Sequence, residues 1–391
     1  MKICAIIAEY NPFHLGHLKQ IEYVKNTLGA EKIIVIMSGN FTQRGEVAVL
    51  DKFTRAKHAI IAGADLVVEL PTVFAISNAE VFANGAINII NSLGVVDSLC
   101  FGVESGTKDD YIALAKELAE ESKEFKKRLK EKLETGISLA KAKHETIKEL
   151  GDKFNEQLLS SPNNILGLEY TKALVKANSD IQIFPMLREG GASHNDATLK
   201  KGITSATSIR ETIKTGKLKV LKKNVPSFVH EDLESYPFDY ETLLMASVIT
   251  TTEDELKRTM DCTEGLENRI KAFSKDNLSV TALVDKVWTK RYTKTRIQRI
   301  LLANMLDIRE SLVRDALDTS LYAKVLAINS DAKNLIPLIC NNSSVPVLTR
   351  KSDETLLKKT ALKCFEKDVL ATHLYSLISH KKLNEHHMLI I

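Results

Sequence analysis

The chain has 391 residues, of which 44% are hydrophobic and 27% charged, proportions that exclude a disordered or collagen-like protein. This length favours two or three domains. Lys and Arg number 54 against 50 Asp and Glu, so a nucleic-acid partner would have to be bound by a local patch and not by the overall charge.

The cellular compartment is indicated by the cysteines and by the lack of long apolar stretches. The five cysteines form no CxxC pair, which argues against a disulfide framework and a zinc knuckle and favours a reducing environment. The apolar run at residues 3–8 is too short for a signal peptide, and no stretch approaches the ~18 apolar residues of a membrane-spanning helix. We therefore expect a cytoplasmic protein with no membrane partner.

Strands and helices alternate over the first 220 residues. Short, largely β-branched runs predict strands at 3–8, 32–37, 65–70, 97–102 and 181–187. Helical spacing predicts helices at about 17–28, 52–62, 78–93, 162–174 and 205–215. This rhythm is typical of an α/β fold with a Rossmann-like open parallel sheet.

Two other regions differ from this alternation. Residues at about 109–150 mix acids and bases at i,i+4 spacing, which favours an exposed helical insertion over a polyanion site. Beyond residue 220 helical periods dominate, apart from an extended run at 345–349. We therefore predict one domain over 1–219 and a mostly α-helical domain over 220–391.

The sharpest motif is the segment from Asn11 to His17, which follows the first strand and opens the first helix. His14 and His17 would lie beside a helix N-terminus that attracts phosphate, and Gly16 would let the backbone approach a nucleotide. Either imidazole could donate a hydrogen bond to an α-phosphate as negative charge builds on it. A metal site and two incidental turn histidines are the alternatives, although HxxH without further ligands is weak evidence for zinc.

A second Ser/Thr-rich element at residues 204–210 is expected to begin a late helix. Ser205 and Thr207 could cap that helix and bond phosphate oxygens, while Arg210 could contact the leaving pyrophosphate. The alternative is a plain capping box made by Ser208 and Glu211.

Several further residues could act either in ligand binding or in structure. Gly102 follows the fourth strand, where open α/β sheets bind ligands. Arg44 and Glu46 could line the pocket or bridge on the surface, and Glu69 has no argued role. Trp288 and Tyr292 are interleaved with basic residues. This pattern is typical either of an RNA-binding segment or of a solvent-exposed helix face.

The chain resembles the HIGH-motif nucleotidyltransferases in its HxGH motif. Longer strings are similar to the family of bacterial tRNA(Met) cytidine acetate ligases: residues 8–17 (AEYNPFHLGH), 37–46 (MSGNFTQRGE), 63–71 (GADLVVELP), 162–167 (PNNILG) and 290–299 (KRYTKTRIQR). The resemblance implies a ligase that activates acetate with ATP and acetylates N4 of the wobble cytidine of elongator tRNA(Met). A small-molecule adenylyltransferase and a non-catalytic, nucleotide-responsive RNA-binding protein are the alternatives.

The resemblance also implies site residues, with His14, His17 and Arg210 as the catalytic groups. The ATP contacts would be Ile7, Ala8, Glu9, Tyr10, Asn11, Pro12, Phe13, His14, Leu15, Gly16, His17, Leu18, Lys19, Gln20, Gly102, Asn163 or Asn164, Arg188, Ser205 and Thr207. The tRNA contacts would be Lys290, Arg291, Lys294, Arg296 and Arg299. Mg²⁺ is expected with ATP, no residue is assigned to a metal site, the role of His194 stays open, and the sequence does not fix the oligomeric state.

Overall fold

A mixed β-sheet with helices on both faces forms the centre of the molecule. It is seen in a computed structural model that describes residues 1–137, 139–150, 154–188, 202–234, 240–277 and 279–391. Within these residues the strands are β1 (Ile3–Ala8), β2 (Lys32–Ser38), β3 (Leu66–Leu70), β4 (Ser98–Val103), β5 (Gln182–Leu187), β6 (Ala323–Ile328), β7 (Val347–Leu348) and β8 (Leu389–Ile390).

The strand order is β5-β4-β1-β2-β3-β6-β7, and β8 pairs with β6. The five strands from β5 to β3 are parallel, whereas β6 runs antiparallel to β3. The predicted α/β class with a Rossmann-like, mostly parallel sheet is therefore confirmed. The order reverses on either side of β1, which is where open α/β sheets bind ligands.

Helices make up most of the remaining chain. In the first half they are α1 (Leu15–Asn26), α2 (Lys52–Ile61), α3 (Thr72–Ala75), α4 (Ala79–Leu93), α5 (Lys108–Glu120), α6 (Lys123–Glu134), α7 (Leu139–Glu149), α8 (Pro162–Lys176) and α9 (Ala206–Lys214). In the second half they are α10 (Ser227–Asp232), α11 (Tyr240–Thr250), α12 (Glu253–Lys257), α13 (Leu266–Ser274), α14 (Val280–Val287), α15 (Lys294–Met305), α16 (Glu310–Leu317), α17 (Leu335–Asn342) and α18 (Lys359–Ser379). Short 3₁₀ helices lie at Glu156–Leu159, Leu218–Lys223, Ser330–Ala332 and Lys351–Leu356. None of the helices in the described ranges is long and apolar enough to cross a membrane.

The two faces of the sheet pack into two separate cores. Alternate residues of β1 divide between them, since Ile7 packs with α4 and α8 while Ile6 packs with α1 and α2. Successive side chains of a strand point to opposite faces, so a strand covered on both sides needs a continuous apolar run. This requirement explains the apolar segments from which the strands were predicted.

The second half of the chain is mostly helical, as expected, but it also extends the sheet. Helices α11, α13, α14 and α15 share a third core, which includes Leu244, Ile270 and Ile300. Strands β6, β7 and β8 join the sheet of the first half, and of these only β7 falls in a segment predicted as extended. The predicted division at residues 219 and 220 stays a prediction.

A buried ionic cluster fastens the two halves together. Lys52 Nζ lies 2.8 Å from carboxylate oxygens of both Glu69 and Glu385. Lys324, on β6, lies 2.9 Å from Glu69 and also contacts Glu385. All four side chains are at most 5% exposed, so each charge depends on its partners for compensation. Glu69, which had no predicted role, is thus one of the two acids of this cluster.

Candidate active site

The HxGH turn orders both imidazoles by hydrogen bonds to the backbone. His14 is the N-cap of α1, and the Gly16 N–H donates to His14 Nδ1 over 3.1 Å. The His14 N–H donates to His17 Nδ1 over 3.3 Å, and the two rings stack with centroids 3.7 Å apart. Because Nδ1 accepts in both rings, each neutral imidazole carries its proton on Nε2. The pair therefore offers two Nε2–H donors at one place.

Close packing fixes the positions of these rings. A Cβ on Gly16 would lie 2.9 Å from Cε1 of His14, so any larger residue would displace the ring. Tyr10, buried and in a left-handed conformation (φ +48°), meets His17 edge-on with centroids 4.8 Å apart. Strained residues of this kind are common where a functional loop is held in one conformation.

The first backbone N–H groups of α1 already have hydrogen-bond acceptors within the protein. This differs from the prediction that they would be available to bind phosphate. The Leu15 N–H donates to the Asn224 carbonyl over 3.2 Å, and the Gly16 N–H donates to His14 as described. The imidazoles and the neighbouring elements are therefore the better candidates for donors to an anion at this turn.

Helix α9 supplies one of those elements. Its N-cap is Ser205, whose Oγ accepts from the Ser208 N–H over 3.1 Å, so the cap is made by Ser205 and not by Ser208. Arg210 is 6% exposed and donates to the Asn11 carbonyl over 3.0 Å and to Thr207 Oγ1 over 3.3 Å. Its Nε also lies 3.4 Å from Glu46. Arg210 therefore links the α9 N-terminus to the HxGH turn, and Thr207 and Glu46 hold it there.

Gly102 lies on the other side of β1, next to Arg188. A Cβ on Gly102 would lie 3.5 Å from the Arg188 side chain. Glu104 Oε1 accepts from Asn163 Nδ2 over 2.6 Å and lies 3.7 Å from Arg188 Nη1. Asn164 is fully buried, and its Oδ1 accepts from the Glu104 N–H over 2.8 Å. Asn163 and Arg188 are thus placed to meet a ligand, while Asn164 holds the loop behind them.

These elements enclose a cleft of about 200 Å³ at the carboxyl ends of the parallel strands. Many of the residues that were predicted from the sequence as ATP contacts or catalytic groups line this cleft: Ile7, Ala8, Glu9, Tyr10, Asn11, His14, Gly16, His17, Lys19, Gln20, Gly102, Asn163, Arg188, Ser205 and Arg210. The other proposed ATP contacts (Pro12, Phe13, Leu15, Leu18, Asn164 and Thr207) lie outside this lining. Phe13 is fully buried in the core beneath the turn. His194 falls in 189–201, outside the described residues.

Several cleft residues were not predicted from the sequence. They are Gln43, Phe82, Phe101, Leu166, Tyr170, Met186, Ile203 and Ala206, together with Arg44, whose role had been left open. Phe82 and Tyr170 lie on helices with apolar spacing, where they cannot be told from core residues. Gln43 and Arg44 lie within the string at 37–46, which was the available signal.

The charged groups around Glu9 interact electrostatically with one another. The Gln43 N–H donates to Glu9 Oε1 over 2.8 Å, and burial raises the pKa of the Glu9 carboxyl. Arg55, fully buried, donates to the Glu9 carbonyl over 2.5 Å and to the Ser38 carbonyl over 3.1 Å. Burial, and next the nearby Arg210, lower the pKa of Arg44. The guanidinium groups of Arg44 and Arg210 and the carboxyl of Glu9 therefore converge at the wall of the cleft.

The predicted tRNA-binding residues lie on and before α15, and most of them contact acids. Arg291 pairs with Glu264 at 2.7 Å and Lys294 with Asp285 at 2.5 Å. Arg296 and Arg299 both contact Asp261, each at 3.3 Å. Lys290 is exposed. The segment's positive charge is thus largely compensated by neighbouring acids.

Helix α15 also meets the loop of the cleft. Gly45, beside Arg44, has φ +74°, and a Cβ there would lie 2.6 Å from the Arg299 backbone nitrogen. The predicted RNA-binding segment therefore adjoins the active-site loop, although more than seventy residues separate it from α9 in the sequence.

Comparison with known proteins agrees with this geometry. The model of the HIGH Nucleotidyl Transferase family matches residues 1–388. The tRNA(Met) cytidine acetate ligase of Acetivibrio thermocellus is 36% identical over 397 residues, covering 96% of this chain and 94% of the relative. That of a Thermoanaerobacter species is 38% identical over 385 residues, covering 96% and 95%. The chain belongs to the tRNA(Met) cytidine acetate ligase family.

Solved structures of this ligase family have the same fold. Thermotoga maritima TmcAL without ligand superposes with a TM-score of 0.93 at 28% identity, over 100% of both chains. The same protein bound with alpha-thio ATP gives a TM-score of 0.92.

Proposed function

We propose that this protein is an ATP-dependent ligase that makes acetyl adenylate and transfers its acetyl group to N4 of the wobble cytidine of elongator tRNA(Met). The observation that carries the proposal is the HxGH turn, where two imidazoles held through Nδ1 line a cleft together with Arg210. The names of the relatives support the choice of acetate and tRNA(Met). The ATP analogue in the Thermotoga maritima protein supports ATP as the nucleotide.

In the first step, an acetate oxygen attacks the α-phosphorus of ATP and pyrophosphate leaves, which gives acetyl adenylate. The Nε2–H groups of His14 and His17 would donate to the α-phosphate as its negative charge grows. Arg210 and the N-terminus of α9 would bind the departing phosphates. The step needs no nucleophile from the protein, so catalysis rests on positioning and charge stabilisation.

The strand order supports a proposed position for each of the two substrates in the cleft. Gly102, Asn163 and Arg188 lie on the β4 and β5 side of the turn, and we assign the nucleoside of ATP to that side. Gln43 and Arg44 follow β2, and Phe82 lies on α4, the helix after β3; this part of the lining suits a small carboxylate with a methyl group. Arg44 would attract the carboxylate, and the apolar wall would accept the methyl group.

In the second step, the exocyclic amine of cytidine attacks the activated carbonyl, AMP leaves, and the amine loses a proton. The base must leave its stack to reach the cleft, as bases do in other enzymes that modify them. We keep residues 220–391 as the predicted tRNA-binding part.

Mg²⁺ belongs to the proposal as a companion of ATP. Within the described ranges, no group of three or more His, Cys, Asp or Glu side chains could hold a metal ion. Mg²⁺ commonly binds through substrate phosphates and one or two carboxylates, and Glu9 is a carboxylate at the cleft wall. The bound ion would neutralise phosphate charge as pyrophosphate departs.

The test is mass spectrometry of tRNA nucleosides after incubation with ATP and ¹³C-acetate. We expect labelled N4-acetylcytidine in elongator tRNA(Met), and none when the wobble cytidine is replaced by uridine. Adenylation of a phosphorylated metabolite with no tRNA product would favour a small-molecule adenylyltransferase. ATP binding without pyrophosphate release would favour a nucleotide-responsive RNA-binding protein.

A further inference from the structure

A second lysine-rich segment lies beside the HxGH turn. Lys214, Lys217, Lys219, Lys222 and Lys223 fall within ten residues, and the sequence has no Asp or Glu between Glu211 and Glu231. All five lysines are exposed. Within the described parts of the chain, these lysines form one ion pair, between Lys214 and Glu211 at 2.9 Å.

The segment is fixed in place by its apolar residues. Leu221 is fully buried in the core that also holds Phe13, Ile209 and Ile213. The 3₁₀ helix Leu218–Lys223 therefore packs its apolar side on α9 and the HxGH turn, and its lysines face solvent.

The backbone at the end of this segment contacts the HxGH turn. The carbonyl of Asn224 accepts the N–H of Leu15, inside the HxGH motif, over 3.2 Å. Neighbouring Cα atoms are about 3.8 Å apart, and Lys223 and Lys222 precede Asn224 by one and two residues, so their backbones lie close to that contact. A cytidine whose base enters the cleft brings its flanking phosphates to this rim.

The segment predicted from sequence differs in its electrostatics. Its Arg291, Lys294, Arg296 and Arg299 contact Glu264, Asp285 or Asp261. A cation that already has a carboxylate partner gains less from a phosphate, whereas an unpaired lysine gains the full release of counterions. Of the two segments, residues 217–223 therefore carry more positive charge that has no carboxylate partner within the described parts of the chain.

We propose that Lys217, Lys219, Lys222 and Lys223 form a docking surface for the tRNA backbone and guide the anticodon loop into the cleft. This inference rests on the proposed function, because it names where the RNA substrate of the same site is bound. The contacts are to phosphates, so they position the tRNA without reading its sequence.

The test compares two variants that lose the same charge. One combines Lys217→Ala, Lys219→Ala, Lys222→Ala and Lys223→Ala. The control combines Lys123→Ala, Lys126→Ala, Lys127→Ala and Lys130→Ala on α6, where the lysines are likewise exposed. A third variant, Lys290→Ala with Arg291→Ala and Lys294→Ala, represents the other segment. Filter binding of tRNA(Met) is measured from low to high salt, and acetate-dependent ATP–pyrophosphate exchange reports the folded ATP site without RNA.

We expect the 217–223 variant to bind tRNA at least tenfold more weakly. Each lost phosphate contact should reduce the salt slope by about 0.7–0.9, so four contacts would reduce it by about 2.8–3.6. The control should keep the wild-type slope, and exchange should stay within twofold of wild type in both. Single variants Lys219→Ala and Lys222→Ala should each give a smaller change in the same direction.

Other results would overturn the inference. Equal losses in the 217–223 variant and the control would show an effect of net charge alone. Loss only in the 290–294 variant would move the tRNA to that segment, and binding to anionic vesicles with unchanged tRNA affinity would assign the lysines to a membrane. If the wild-type protein acetylates no tRNA, the proposed function fails, whereas wild-type binding by the 217–223 variant of an active ligase contradicts only the docking surface.

Discussion

The substitution Gly16→Ala is predicted to impair catalysis without impairing folding. Gly16 lies in the first turn of α1, where alanine is the better helix former by about 1 kcal/mol. The new Cβ would meet His14 Cε1 at 2.9 Å, while ordinary contacts begin near 3.4 Å. The His14 ring must therefore move by about 0.5 Å, away from its stack on His17.

The size of the effect follows from that movement. Losing one transition-state donor costs about 10²–10³ in rate, and a misplacement of about 1 Å can cost 10²-fold. We expect acetate-dependent ATP–pyrophosphate exchange to fall about ten- to a hundredfold. The thermal unfolding midpoint should stay within a few degrees of wild type. The higher helix propensity of alanine stabilises the protein and offsets part of the destabilisation caused by the close contact with His14.

A double-mutant cycle tests the cause. Once His14→Ala has removed the ring, Gly16→Ala has nothing to displace, so it should change exchange by less than twofold in that background. An exchange rate near wild type in Gly16→Ala alone would refute the argument. So would a further tenfold loss in the His14→Ala background, since the glycine would then act through something other than the ring.

Three further predictions concern the turn, the ionic cluster and the thiols. His14→Ala and His17→Ala should each lower exchange about 10²-fold or more with little change in folding, and a double variant with wild-type exchange would contradict their role. Lys324→Ala leaves Lys52 alone to compensate two buried carboxylates and should lower the free energy of unfolding in urea by about 3–5 kcal/mol, whereas Lys214→Ala, at an exposed pair, should cost less than about 1 kcal/mol. Among the cysteines only Cys340 is exposed, and burial raises the pKa of Cys100, Cys262 and Cys364 to about 12, so a thiol reagent should modify one cysteine quickly in the native protein. Rapid modification of several thiols would contradict this packing.

The fold of the first half was predictable because its signals are local. A parallel strand buried on both faces is an apolar run, and a helix cap such as Ser161 before Pro162 is a short motif. Strand β6 was not predicted, because its Lys324 suits a sheet interior only with Glu69, a partner 255 residues earlier. Such a pairing has no signature in either segment alone.

The site was predictable to a similar extent. The HxGH turn and Arg210 belong to short motifs, and Gly102 was placed by its position at the end of a predicted strand. Phe82 and Tyr170 were missed because an apolar residue on a helix has the same pattern in a core and in a pocket wall. The lysines at 217–223 were passed over because they carry no interleaved aromatic residue, and the acids that neutralise the other segment were not visible from its spacing.

The pairing of β3 with β6 has a consequence for the growing chain on the ribosome. The outer edge of β3 emerges early, and about 250 more residues must be made before β6 can cover it. An open strand edge can pair wrongly with other chains during that time. A fragment ending at residue 219 would keep that edge open permanently and leave Glu69 without Lys324. The first half of the chain is therefore expected to aggregate when it is expressed alone, and its nascent form is expected to need a chaperone.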